Sequence, residues 1–371
     1  MTLAETLTEI GCSIDELDTP ALCIDLDVFD SNIAKMAALC RERGKDWRPH
    51  SKAHKSPEIA QRLIDAGAIG VTCAKLGEAE VMAEGGIRDL LIANQIVGPA
   101  KMRRLVEVRR KADPIVTVDH PDQVRAISQA MQQADLTVRT IIEVDVGLNR
   151  AGVQPGEPTM ELARFIAQQP SLEFVGIMGY EGHLLTVEDQ QEKAQQINAA
   201  MAILADTKEA LEKAGLACPI VSAGGTGSYA FTSLCPGVTE LQAGGLIFMD
   251  AFYRHKCHVE EFDFALKIVC TVVSRPTADK IILDAGRKTH HAYNHPSLVI
   301  GHEDDILLDR LSAEHGEFKL TPAAPDVKIG DRLELIPGYS DMTNVLHNQF
   351  YGIRNGKVET IWPLLGRGRL Q

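Results

Sequence analysis

The sequence predicts an α/β protein: a (β/α)8 barrel followed by a C-terminal β-rich domain. Three observations predict it. Between Lys45 and Met249, eight short β-branched runs alternate with amphipathic stretches, the size and rhythm of such a barrel. After Met249 the long helical stretches stop and strand-like runs follow one another. Polar side chains and glycines gather just after the strand-like runs, where a barrel builds its functional rim. Periodicity alone leaves a doubly wound open sheet as the competing architecture.

Taken in order, Ala21–Leu26 reads as a strand available to pair with the β-rich domain, and Asp27 as the cap of a helix over Val28–Arg43. The barrel strands are expected at Trp47–His50, Ile69–Cys73, Leu90–Ala93 and Ile115–Val118, then Arg139–Val144, Glu173–Met178, Pro219–Ser222 and Thr239–Gln242. Helices are expected between them at Ser56–Ala66, Leu76–Met82, Pro99–Lys111, Pro121–Gln133, Gly156–Gln168 and Val187–Ala214. The first has a serine cap, proline at its first position and Gly67 beyond its end. Phe264–Ser274, Lys280–Leu283, Leu307–Leu311, Arg332–Leu335, Phe350–Arg354 and Lys357–Trp362 read as strands of the second domain. The expected domains are therefore 27–255 for the barrel, and 1–26 plus 256–371 for the β-rich part.

A chain of 371 residues exceeds one usual core. A net charge of -13 argues against nucleic acid or an anionic membrane as partner. No apolar run approaches the ~18 residues that span a bilayer. Met1–Glu5 lacks the basic and apolar regions of a secretory signal. The eight cysteines show no CxxC pair or zinc spacing, and Cys257-His258 reads as a chance neighbour. Reduced thiols in a cytoplasmic protein fit best.

The chemistry centres on Arg48-Pro-His-Ser-Lys52-Ala-His54-Lys55. A lysine held where a strand ends and a helix is about to begin sits at the barrel rim. Partly desolvated, it can lose its proton and attack an aldehyde, as pyridoxal-phosphate (PLP) enzymes require; the plain alternative is an ordinary solvated lysine. Gly224-Gly225-Thr226-Gly227 and Ala243-Gly244-Gly245 follow the last two strands, where glycine lets backbone N–H groups approach phosphate closely. Arg150 suits a phenolate oxygen or a carboxylate, or else a loop salt bridge with Asp145. Gly182 suggests a tight turn that aims His183 inward, beside Tyr180.

Arg48–Lys55, Glu143-Val-Asp-Val-Gly-Leu-Asn-Arg150-Ala-Gly152, Tyr180-Glu-Gly-His183, Ser222-Ala-Gly-Gly-Thr-Gly and Glu240-Leu-Gln-Ala-Gly244 together resemble the D-threonine aldolase and D-serine dehydratase group. That group includes 3-hydroxy-D-aspartate aldolase and belongs to the alanine-racemase-like PLP enzymes. The resemblance runs over nearly the whole chain, including Asp284-Ala-Gly286 and Glu314-His315-Gly316. It implies a PLP barrel with a C-terminal β domain, usually in a homodimer. Lys52 is then the Schiff-base lysine. Arg150 and Tyr180 lie at the cofactor ring, and Ser222, Gly225, Thr226, Gly244 and Gly245 around the phosphate. His54 and His183 lie close to the chemistry.

The implied reaction is cleavage of a β-hydroxy D-amino acid, of the D-threonine or 3-hydroxy-D-aspartate type, to glycine and an aldehyde. A dehydratase or racemase is the alternative within the PLP class. A non-catalytic PLP carrier is the alternative outside it, and the β-rich domain argues against that. Metal-dependent members carry a late segment in which a histidine and, two residues on, Asp or Cys hold a divalent ion. Here the segment reads Pro337-Gly338-Tyr339-Ser340-Asp341, with Tyr339 in the histidine's place. Dependence on Mn²⁺ or Mg²⁺ is therefore expected to be weak or absent, unless Asp341 recruits a replacement such as His347.

Overall fold

The computed structural model describes residues 9–292 and 294–371, so the reading of Met1–Glu5 lies outside the described residues. The chain begins with β1 (Ala21–Asp25) and α1 (Leu26–Arg43) and divides into two compact units. One is Lys35–Gly244 with Leu365–Gln371. The other runs up to Ala34 and resumes over Gly245–Leu364.

The first unit holds eight parallel strands: β2 (Asp46–Trp47), β3 (Val71–Cys73), β4 (Asp89–Ile92), β5 (Asp113–Val118), β6 (Val138–Glu143), β7 (Leu172–Met178), β8 (Ile220–Ala223) and β9 (Glu240–Leu241). Their order is β2-β9-β8-β7-β6-β5-β4-β3. A parallel bridge from His50 to Thr72 joins the two ends, so the sheet curls back on itself and the doubly wound alternative is excluded. Helices α2 (Pro57–Asp65), α3 (Leu76–Glu84), α4 (Pro99–Lys111), α5 (Pro121–Gln133), α6 (Glu157–Ala167), α7 (Gln190–Lys213) and the short α8 (Tyr229–Thr232) connect the strands. Strands covered on both faces read as continuous apolar runs, which is why all eight were legible. Leu91, Ile115, Ile141, Val175 and Met178 form one of their core clusters.

Two caps differ from expectation. Asp25, not Asp27, caps α1: its Oδ1 accepts the N–H groups of Asp27 and Val28, both at 3.1 Å. Ser56 sits at the cap position of α2, but its hydroxyl donates to Glu58 and caps no backbone group.

The second unit contains α9 (Ala251–His255), β10 (Leu266–Thr277), β11 (Lys280–Leu283), β12 (Leu298–Val299), β13 (Ile306–Leu311), β14 (Gly316–Leu320), β15 (Arg332–Ile336), α10 (Ser340–Asn344), β16 (Gln349–Arg354) and β17 (Lys357–Pro363). Its sheet runs β13-β14-β11-β10-β1-β16-β17, with β15 bridging β10 and β12. As expected, β1 belongs here, antiparallel to β10 and parallel to β16. β12 and β14 were missed: the first has two residues, and the second mixes charge into a short run.

Candidate active site

Lys52 lies on a 3-10 turn, Ser51–Ala53, just beyond β2. His50 fixes that turn by accepting the Lys52 N–H on Nδ1 at 3.3 Å. Burial, then the charges of Lys52 and Lys55, hold the His50 imidazole well below its ordinary pKa. His54 is buried beneath the turn, accepts the Ser56 N–H on Nδ1 and is pushed down to about 3 by burial. Both rings are neutral props, and Lys52 itself is half-buried.

Lys55 closes the turn in the left-handed region (φ 53°), an uncommon conformation for a side chain of its size. Its buried Nζ donates to the carboxylate of Glu78, whose other oxygen accepts the Ala74 N–H at 2.7 Å. The Lys55 carbonyl accepts the N–H of Gly366. The second lysine of the motif is thus an anchor, while Lys52 keeps access to solvent.

Polar groups follow the strand ends as expected, and the structure ties them together. The Gln95 side-chain amide donates to Asp119 at 3.0 Å and to Glu143 at 2.6 Å. Asp119 also accepts from Gln123 and from the Gly152 N–H. Glu143, buried at the end of β6, faces Arg150 at 3.5 Å. The Arg150 guanidinium lies 5.7 Å from the centre of the Tyr180 ring. Asp145 instead accepts the N–H groups of Gly147 and Asn149, and Arg150 meets Glu143 rather than the Asp145 that was its alternative partner. Gln95 follows the third expected strand and Glu143 opens one of the motifs quoted above, but neither carries an expected role. The signal was in their positions, since both follow strand ends, but a carboxylate's partner is invisible in the sequence.

Tyr180 stands against Gly225: a Cβ there would lie 3.1 Å from the phenol ring. At Gly244 a Cβ would lie 2.7 Å from the His50 nitrogen, so only glycine lets this chain pass the turn that carries Lys52. Ser222, buried at the end of β8, accepts from Gln242 at 2.9 Å. Thr226 is buried. Gly245 opens a 3-10 turn, Gly245–Ile247. His183, on the 3-10 turn Gly182–Leu184, is exposed, with Nε2 3.1 Å from where a Gly147 Cβ would stand.

In the second unit, Tyr339 donates its phenol proton to Asp341 at 3.0 Å. His347 directs Nε2 to the Thr289 carbonyl at 2.8 Å. Among the described residues, no three His, Cys, Asp or Glu side chains gather as they would around a metal ion. Among the described residues, no helix is long and apolar enough to cross a membrane.

A parallel eight-stranded barrel with a lysine turn after its first strand, joined to a mostly antiparallel β unit, defines the alanine-racemase-like class. The chain belongs to the family described as alanine racemase, N-terminal domain, which matches residues 24–251, and a putative serine dehydratase domain matches 265–353. It is 36% identical to a D-threonine aldolase from Arthrobacter sp., covering 96% of this chain and 95% of that protein. It is also 36% identical to a 3-hydroxy-D-aspartate aldolase from Paracoccus denitrificans, covering 97% and 94%. The solved D-threonine aldolase from Filomicrobium marinum superposes with a TM-score of 0.94 at 35% identity, over 98% of both chains. D-threo-3-hydroxyaspartate dehydratase from Delftia sp. HT23 gives 0.85 at 25% identity, over 95% and 98%. The resemblance read from the motifs is borne out.

Proposed function

We propose that this chain is a PLP-dependent aldolase that cleaves β-hydroxy D-amino acids to glycine and an aldehyde. The observation that carries the reading is a half-buried lysine held on a rigid turn beside two glycine-lined strand ends, in a chain 36% identical to two aldolases over its whole length. The residues suit the cofactor. Lys52 Nζ would hold its aldehyde, and Arg150, which faces Glu143 and lies near the Tyr180 ring, would meet the ring side of the cofactor together with Tyr180. Gly225, Thr226, Gly244 and Gly245 would line its phosphate, with Ser222 as a further cofactor contact. When bound, PLP supplies an electron sink for the pair released at Cα.

The chain's own groups do the rest. His183, exposed at the rim and therefore able to exchange protons with solvent, takes the β-hydroxyl proton. The Cα–Cβ bond then breaks, its electron pair stays with Cα, and the β-carbon leaves as the aldehyde. A proton delivered to Cα, a step we assign to the Lys52 amine, gives glycine. His54, neutral and buried, acts only by holding the turn. A cytoplasmic homodimer completes the proposal; it is supported by cysteines that form no disulfide and by the family resemblance.

Purified protein incubated with PLP should turn yellow, and Lys52→Ala should abolish both the colour and turnover. With D-threonine and D-3-hydroxyaspartate the product should be glycine. Ammonia in its place would make the chain a dehydratase, and loss of optical activity without either product a racemase. A wild type that takes up no PLP would end the proposal.

A further inference from the structure

We infer that this chain has exchanged the late divalent-metal position of its family for a tyrosine–carboxylate hydrogen bond, so its β-rich unit does not hold the ion. The family resemblance places a metal ligand at position 339 and another at 341, and a solved variant of a D-threo-3-hydroxyaspartate dehydratase is described as being in the metal-free form. The donor set here is different. The Tyr339 phenol donates to Asp341 Oδ2 at 3.0 Å, which engages one of the two carboxylate oxygens a cation could use. To bind there, an ion would have to break this bond and draw a proton from a phenol, a group that ordinarily titrates near about 10.

The surroundings keep Tyr339 in place. Its ring packs edge-on against Phe252, with centroids 5.4 Å apart, and meets Tyr253 at 5.9 Å and His291 at 6.4 Å. Its carbonyl accepts from the Thr343 hydroxyl at 2.8 Å, and the same hydroxyl accepts the His291 N–H at 3.0 Å. The next residue is pinned as well: Ser340 N–H and Oγ–H both donate to Asp250 Oδ2, at 2.8 and 2.7 Å. Swinging Tyr339 aside to admit an ion therefore means disrupting a packed segment. His347, the candidate replacement, is turned to the Thr289 carbonyl. Among the described residues no three His, Cys, Asp or Glu side chains gather around Asp341, which leaves a weak set for a hard divalent ion.

The test reads ion binding rather than turnover, so a failed aldolase assay would not decide it. The full chain is freed of metal with EDTA and titrated with Mn²⁺ alone, with free Mn²⁺ followed by electron paramagnetic resonance. The quantity compared is the binding that Asp341→Ala removes. Wild type should show none at concentrations below about 1 mM. Tyr339→His should gain one Asp341-dependent site, at least about tenfold tighter than wild type. Tyr339→Cys, which supplies a thiolate at the same place, is read alongside in case the imidazole cannot be packed. Sub-millimolar, Asp341-dependent binding by wild type would overturn the inference. So would two folded variants that gain none, since Tyr339 would then not be what keeps the ion out.

Discussion

Lys52 and Lys55 show how one motif divides its labour at the scale of single residues. Both are lysines in one short loop, yet one is half-buried and reaches solvent while the other is sealed against Glu78. A buried ammonium whose partner is removed is far costlier than the pair is favourable. Glu78→Ala should therefore lower stability by about 3–5 kcal/mol, read as a fall in the urea midpoint at unchanged slope. The double variant Lys55→Met with Glu78→Leu should recover most of that loss. If Glu78→Ala alone is neutral, Lys55 is not buried as described. Nothing in the spelling of the motif separates the two lysines. The distinction comes from Glu78, 23 residues away, whose carboxylate the fold delivers beneath Lys55.

Among elements, the barrel is tied at its floor by charge. Arg48, 1% exposed, donates through Nε to Glu240 at 3.0 Å and through Nη1 to Asp89 at 2.8 Å. Arg139 joins Asp89 to Asp113. Asp89, Asp113, Arg139 and Glu240 stand at or near the starts of β4, β5, β6 and β9, and Arg48 reaches them from just after β2. Arg48 and Glu240 both fall within motifs that suggested chemistry, yet their role is to join the segment after β2 to β9. Glu240→Ala should cost about 3–5 kcal/mol by stranding a buried guanidinium. The folded fraction should keep its cofactor affinity, because the Glu240 carboxylate is engaged by Arg48, although Glu240 lies beside Ser222 in the β8–β9 register. A loss of PLP binding in protein with an unchanged melting profile would contradict this assignment. Sequence reading could not find the pair, since 192 residues separate its members and only closure of the sheet brings them together.

The whole molecule carries several imidazoles that burial keeps neutral: His50 well below its ordinary pKa, His54 at about 3 and His290 at about 4. His290 is held from both sides, by Ser297 at 2.6 Å and the Ala285 carbonyl at 3.2 Å. Each is depressed in the folded state, so its contribution to stability is fully present above about 6.5, where the unfolded histidine is also neutral. That contribution is lost as pH falls from there toward about 4 and then about 3. Asp250, pushed up to about 7 by burial, pulls the other way by taking a proton more readily in the native state. One group against three leaves net acid sensitivity. The melting temperature should fall steadily from pH 6.5 to pH 4, and His290→Asn should flatten the slope by a share worth roughly 3 kcal/mol at its limit. A melting temperature that rises on acidification would reverse the assignment of these rings as neutral.

The sequence by itself determined the barrel, the β-rich second unit, the return of β1 to that unit, the rim and the family. These depend on patterns that local chemistry writes into neighbouring residues: runs of β-branched side chains for strands buried on both faces, and glycine where the backbone must pass closely. Tertiary structure alone decided which lysine is anchored, that Arg150 leans on Glu143 rather than Asp145, that His54 is buried with its pKa pushed down, and that the Tyr339 phenol is bound to Asp341. Each of these is a pairing whose strength depends on burial and on the direction in which a side chain points. A partner's distance along the chain carries no information about either, so those assignments could be made only once the chain was folded.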